Sequence, residues 1–320
     1  MWKTILRRVV LMIPQVIILS ILIFMLAKLM PGDPFTGQIN PSVDPKVLEA
    51  LKMKAGLYDP WPTQYLRWLG NLFHGDLGQS FIYKIPVTDL LGQRVGNTVW
   101  LSLFTAVIAY LIALPLGLLS GRYEDSWIDK AVGIYSYFTF AVPLFVFGLM
   151  MLFVFGYRLE WFPTSGTVDP SAAVGGFTEF INRAEHLVLP SLTGALLSTT
   201  ITIQYLRSQV IDAKKLDFVR TARSKGVPTS KVFSRHIFRN ASLPIASNLG
   251  FEISGLIAGS VVIESIFSYP GIGQLFLQSI NQLDYTVITA LVLILGVVTL
   301  LGMLISDIIM SLVDPRIRIQ

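Results

Sequence analysis

Five uncharged apolar runs, each long enough to cross a lipid bilayer, constrain this chain more than any other feature. They are Val9 to Ala27, Val95 to Gly121, Ala131 to Tyr157, Leu187 to Leu206 and Tyr285 to Ser306. A hydrocarbon core about 30 Å thick needs roughly 20 apolar residues of helix. A sixth run, Asn240 to Ile263, is interrupted by Glu252. A carboxylate there is tolerable where the helix faces protein or water instead of lipid. A single run would also suit a buried helix of a soluble protein, but six runs separated by polar loops do not. The expected fold is therefore an all-α integral membrane domain over residues 1–320. Its six helices are placed at about 9–29, 97–120, 131–156, 187–207, 243–263 and 286–312. Lys3, Arg7 and Arg8 before the first run resemble a signal-peptide start. Ala27-Lys28-Leu29 is no small-residue cleavage site, however, so the segment is read as a retained helix.

Composition agrees. Only 14% of residues are charged and 53% are hydrophobic, against about 25% charged in a soluble domain. With no cysteine, disulfides and thiolate metal sites are excluded. The net charge of +5 matters through its placement. The N-terminus, residues 122–130, residues 207–239 and the C-terminal tail together hold sixteen Lys and Arg, and the alternate loops hold eight. Cationic loops stay cytoplasmic, so both termini are expected in the cytoplasm. No Lys/Arg-rich tail or aromatic-interleaved basic tract points to nucleic acid. The loop of residues 31–95 is then external. It is proline-rich at first, but Trp61, Tyr65, Leu66, Trp68, Leu69 and Phe73 provide one packed face, so a small folded element is expected.

The basic loop stands out. Nine cations (Arg207, Lys214, Lys215, Arg220, Arg223, Lys225, Lys231, Arg235 and Arg239) face only Asp212 and Asp217. Leu216 to Lys225 reads as a short helix. Gly226 suits the left-handed position that ends it, and Pro228 prevents continuation. Thr229 or Ser230 is placed to cap a second helix. In that helix Lys231, Arg235 and Arg239 form one stripe, with Phe233, Ile237 and Ala241 roughly opposite. An anchor for anionic lipid needs charge alone. The turn and the amphipathic helix indicate a shaped knob that fits a partner.

At this loop the sequence resembles a known family. Asp217-Phe218-Val219-Arg220-Thr221-Ala222-Arg223-Ser224-Lys225-Gly226, then Arg235-His236, Arg239-Asn240-Ala241 and Leu243-Pro244, is similar to the cytoplasmic signature of permease subunits in binding-protein-dependent ABC importers, in the oligopeptide/dipeptide/nickel branch. The likeness runs through Ile13-Pro14, Leu29-Met30-Pro31-Gly32-Asp33-Pro34, Gln64-Tyr65, Trp68-Leu69-Gly70 and Gly75-Asp76-Leu77-Gly78-Gln79-Ser80. It continues in Ala141-Val142-Pro143, Phe162-Pro163-Thr164-Ser165-Gly166, Tyr269-Pro270-Gly271-Ile272-Gly273, Asp284-Tyr285 and Val313-Asp314-Pro315-Arg316-Ile317-Arg318. Arg220, Thr221 and Ala222 stand where the general importer pattern has Glu-Ala-Ala, and the distance from Gly226 to Leu243-Pro244 is longer. Both departures are usual in the peptide/nickel branch, and they forbid assuming a Glu-based contact.

The resemblance implies a type I ABC importer permease bundle in a bacterial cytoplasmic membrane. It implies pairing with a second homologous permease, two cytoplasmic ATPase subunits that carry ATP and Mg, and an extracellular or periplasmic substrate-binding protein. The docking loop is 208–242, with Arg220, Thr221, Ala222, Arg223, Lys225, Gly226, Val227, Pro228, Phe233, Arg235 and His236 as the residues expected to meet the ATPase. Gln204 and Glu252 are candidates for the translocation path. Peptides are the expected cargo, with nickel or another small solute as the alternative.

The chain has no G-x-x-x-x-G-K-[ST] phosphate loop and no Gly-x-Ser-x-Gly elbow. His74, His186 and His236 lie far apart. No catalytic residue, cofactor site or metal site is assigned, and ATP chemistry is expected on a partner. Coupling is expected to be mechanical, with ATPase closure moving the knob and rigid helices carrying the motion to the gates. A secondary transporter is the competing class. It rests on Glu252, Glu264 and Asp307, because intramembrane acids are functional candidates. A receptor or structural membrane protein would show no transport.

Overall fold

Helices begin in this chain where proline or a loop residue releases the backbone, and they run on where apolar residues continue. The computed structural model describes residues 2–29, 49, 53, 56, 58–169, 175–243, 245 and 261–313. Helix α1 is Trp2–Leu29 and α2 is Trp61–Phe73. Then come α3 (Val87–Arg122), α4 (Trp127–Ala141) and α5 (Leu144–Met151), which opens into a π-helical stretch, Leu152–Arg158. Helix α6 is Gly176–Ala213 and α7 is Asp217–Ser224. The next helix starts as α8 (Thr229–Lys231), widens into π-helix over Val232–Ile237 and closes as α9 (Phe238–Ala241). The described residues end with α10 (Val261–Ile266), α11 (Ile272–Asn281) and α12 (Tyr285–Val313).

Among the described residues, four helical segments are long and apolar enough to cross a membrane: Leu6–Leu29, Val87–Arg122, Gly176–Lys214 and Tyr285–Ile308. A fifth candidate is broken. Trp127–Ala141 and Leu144–Arg158 meet at 101°, so the run expected to be continuous over 131–156 turns sharply. The cause is local. Pro143 disfavours helical backbone at the residue before it, and Val142 is extended at φ −82°, ψ 122°. The sixth expected span, 243–263, lies mostly outside the described residues, as does Glu252.

Two spans are longer than hydropathy alone indicates. Helix α3 starts at Val87, ten residues before the expected span, because Asp89 and Arg94 interrupt hydropathy but not helix. Among the described residues, helices α3 and α6 form the most extensive packing interface, and two glycines allow it. A Cβ on Gly117 would lie 3.0 Å from the Ile203 carbonyl oxygen, and one on Gly121 2.7 Å from the Val210 Cβ. Small residues four apart let two membrane helices approach backbone to backbone. Helix α12 packs on α1, where Gly296 accommodates Leu19.

Three of the four apolar clusters among the described residues follow the bundle axis. One, at the knob, joins Leu206 and Val210 of α6 to Val219, Ala222, Phe233 and Ile237. The middle cluster joins Leu101, Phe147, Leu189, Ile263 and Phe267. The third joins Val87, Leu90 and Leu91 of α3 to Ile272, Leu275, Val287 and Leu291. Part of the 31–95 segment, residues 77–85, packs on this third cluster through Leu77, Tyr83 and Ile85.

Candidate functional site

The knob is a helical hairpin built on α6. Val219 and Ala222 of α7 turn inward and are buried, as are Val232, Phe233, Ile237 and Ala241 of the second helix. Lys231, Arg235 and Arg239 are exposed on its other side, so the two expected stripes are present. The turn between the helices is a C-terminal cap. Gly226 stands at φ +70°. Its N–H donates to the Arg223 carbonyl (2.9 Å), and the Val227 N–H donates to the Ala222 carbonyl (3.2 Å). These are the paired bonds of a Schellman motif. Val227 then packs onto the cluster that contains Ala222. The second helix is not capped by Thr229 or Ser230 as expected. Pro228 occupies the capping position with no side-chain cap, and its carbonyl accepts from the Val232 N–H at 3.0 Å.

Of the residues expected to meet a partner, Arg220, Thr221, Arg223, Lys225, Gly226, Pro228 and Arg235 are exposed. Val227 and His236 are half-buried, and Ala222 and Phe233 are buried. These last two lie in the knob's core, so they shape the surface from beneath and do not form it.

The knob is fastened by residues outside its own sequence. The Arg122 guanidinium lies 4.9 Å from the centre of the Phe233 ring. Lys214 Nζ donates to the Gly121 carbonyl and to Glu124 Oε2, both at 2.9 Å, which holds the Glu124 carboxyl below its ordinary range. One turn deeper, Asp129 accepts from Arg207 through both oxygens, Nε to Oδ1 at 2.6 Å and Nη2 to Oδ2 at 2.7 Å. It also accepts from the Ser120 hydroxyl and from the Asp125 N–H. Two of the nine loop cations therefore act as internal bolts. The signal available in sequence was Ser126-x-x-Asp129, a helix start whose Ser126 hydroxyl accepts from the Asp129 N–H at 3.3 Å.

Two of the three acidic candidates for ion coupling, Glu264 and Asp307, have structural partners. Glu264 is fully buried. Its Oε1 accepts from the Thr98 hydroxyl (2.8 Å) and its Oε2 from the Gln274 N–H (2.9 Å), while Thr98 Oγ1 accepts from the Ile272 N–H (2.7 Å). Glu264 and Thr98 thus satisfy free N–H groups at the start of α11. The Tyr269-Pro270-Gly271-Ile272-Gly273 motif wraps this carboxylate. A Cβ on Gly271 would fall 2.4 Å from both Glu264 Oε2 and Thr98 Oγ1. Burial and the nearby Glu264 charge push the Tyr269 hydroxyl up to about 12. Asp307 pairs with Arg8, tying α12 to α1. Gln204 is exposed on α6, beside exposed Ile201 and Tyr205. Among the described residues, no group of three or more His, Cys, Asp or Glu is placed to hold a metal ion.

Comparison with known proteins places this architecture. Residues 113–319 match the family described as binding-protein-dependent transport system inner membrane component, and residues 1–102 match its N-terminal companion. The chain is 40% identical over 317 residues, 98% of each chain, to the oligopeptide transport system permease protein AppB of Bacillus subtilis. It is 33% identical over 319 residues, 98% of each chain, to a putative peptide permease protein of Brucella suis. It is 30% identical over 318 residues, 99% of each chain, to the glutathione transport system permease protein GsiC of Escherichia coli. In fold it is similar to a chain of the inward-facing MetNI methionine ABC transporter. That match has a TM-score of 0.54 at 15% identity and covers 71% of this chain and 97% of that one. With both halves of the chain matched and full-length relatives at this identity, the protein belongs to the binding-protein-dependent transport family of inner-membrane permease subunits.

Proposed function

We propose that this chain is the permease subunit of an ATP-driven importer that takes up peptides handed over by a substrate-binding protein. It would pair with a second, homologous permease to line one path, and two ATPase subunits would dock on the knob. Both termini and the knob would lie in the cytoplasm, and residues 75–86 would face the binding protein. One observation carries the docking assignment: a hairpin whose apolar face is fixed to α3 and α6 leaves Arg220, Thr221, Arg223, Lys225, Pro228 and Arg235 exposed on its free side. A fastened knob transmits force, because a push on its rim moves α6 instead of bending the loop. The peptide assignment is supported by the relatives named as oligopeptide and peptide permeases.

The test is uptake in vesicles carrying the complete importer. Peptide accumulation should require ATP and persist with a proton ionophore. Accumulation that the ionophore abolishes while ATP is present would instead place the protein among ion-coupled transporters.

A further inference from the structure

Helix α2 has three faces. At 100° per residue, Tyr65, Trp68 and Leu72 share one arc, Leu66, Leu69 and Phe73 the next, and Thr63, Arg67, Asn71 and His74 the third. The first arc meets α1. The Tyr65 ring lies 5.5 Å from that of Phe24 and the Trp68 ring 5.9 Å from it. The Tyr65 hydroxyl shares a 2.8 Å hydrogen bond with Ser20, and Lys28 donates to Gln64. The third arc is polar, with Arg67 paired to Asp59 at 2.7 Å. The middle arc is apolar and open. Leu66 is 65% exposed and Phe73 83% exposed.

We infer that α2 is an interfacial helix, lying in the membrane surface with Leu66 and Phe73 in lipid acyl chains. Three observations select lipid as the occupant. First, α2 packs on α1, whose exposed surface is apolar, with Leu22, Met25 and Leu26 among its residues, and which belongs to a membrane span. Second, the depth fits. The contact centres on Phe24, five residues from the end of the span at Leu29, or about 8 Å of helix. Interfacial helices sink about 5–10 Å. Third, the flanks are those of a membrane interface. Tyr58 and Trp61 are exposed at the start of α2, and Lys28 marks the end of α1 beside it; aromatic and cationic side chains favour that level. The contacts with α1 come from Gln64, Tyr65 and Trp68 in the first half of α2 and hold that helix against the end of the span.

The role that follows is anchoring. The segment between the first two spans is pinned to the bilayer at α2 and to the third apolar cluster at residues 77–85, which fixes its height above the membrane. This inference rests on the membrane placement of α1 and not on the identity of the cargo.

The chain has no cysteine, so single sites can be labelled directly. Leu66→Cys, Phe73→Cys and Asn71→Cys, each in the complete importer in proteoliposomes, would carry a nitroxide for power-saturation measurement against oxygen and a water-soluble nickel chelate. Lipid contact predicts that oxygen outcompetes the chelate at 66 and 73 and that the order reverses at 71. Chelate-dominated relaxation at all three positions would mean that the helix stands in water. Immobilised labels at 66 and 73, shielded from both reagents, would mean that a protein covers the face. Either result overturns the inference. All three side chains are exposed, so a label at any of them displaces no buried neighbour.

Discussion

The Ser80 hydroxyl donates to the Asp284 carboxylate across 204 residues of sequence, and both side chains are fully buried. Asp284 also accepts from the Ile82 N–H at 3.2 Å and the Val287 N–H at 3.4 Å. The bond therefore joins the turn after α2 to the start of α12. Two motifs that are separate in sequence, Gly75-Asp76-Leu77-Gly78-Gln79-Ser80 and Asp284-Tyr285, form one structure.

Ser80→Ala removes the shortest of these bonds and leaves a buried carboxylate with two longer ones. Losing a partner to a buried acceptor costs about 1–3 kcal/mol. The variant should unfold at lower temperature in detergent, and, if ATPases dock on the knob at the other end of the bundle, they should still co-purify. An unchanged unfolding midpoint would show that the bond carries no stability.

Gly271→Ala should be damaging for a steric reason, since its Cβ would sit 2.4 Å from Glu264 Oε2 and Thr98 Oγ1. The carboxylate must withdraw from the start of α11, exposing unpaired N–H groups. Gly133→Ala is the control. Nothing lies within 4 Å of its Cβ position, and Ala in place of a helical Gly stabilises by about 0.5–1 kcal/mol. Thermal unfolding of the two variants should move in opposite directions. Glu264→Gln should lower stability and transport capacity together without making uptake sensitive to an ionophore.

The Asp129–Arg207 pair should behave as a buried bolt. Asp129 is 7% exposed and Arg207 29%. Removing Arg207 leaves the Asp129 carboxylate with only the Ser120 hydroxyl and the Asp125 N–H; breaking a fully buried pair on one side costs about 3–5 kcal/mol, and the partial exposure of Arg207 sets this loss below that range. Arg207→Ala should therefore be worse than Asp129→Ala with Arg207→Ala, because the double variant leaves no charge uncompensated. Additive losses in a double-mutant cycle would count against direct coupling.

The uncharged apolar runs were enough to read the four long helices, because a span needs only length and hydropathy, and Gly226-x-Pro228 was enough to read the turn of the knob. The break at Val142-Pro143 was also legible in principle, since proline acts on the residue before it, but an unbroken apolar run conceals it. Long-range polar pairs were not legible. Nothing local to Arg207 distinguishes it from Lys215, yet one is bolted to Asp129 and the other is exposed. Charge counting gave the same weight to both. Phe233 and Ala222 illustrate the same gap: a motif marks positions that matter without saying which face them outward.

Gly226 separates shape from charge in the knob. A Cβ there would meet nothing within 4 Å, so packing does not demand glycine; the backbone does, at φ +70°. A left-handed residue costs an ordinary L-amino acid about 1–2 kcal/mol, and asparagine tolerates it better than most. Gly226→Asn should therefore keep the two Schellman bonds, and Gly226→Val should open them and swing α8 away from α7. The nine cations are the same in both variants. If the ATPases recognise a shaped hairpin, co-purification should survive Gly226→Asn, weaken with Gly226→Val and fall further with Gly226→Val at raised temperature. Charge reversal at Arg220 and Arg223 tests the other contribution, because both are exposed and neither supports the core. ATPase retention that follows charge alone, with Gly226→Val indistinguishable from the parent, would mean that the turn has no part in docking.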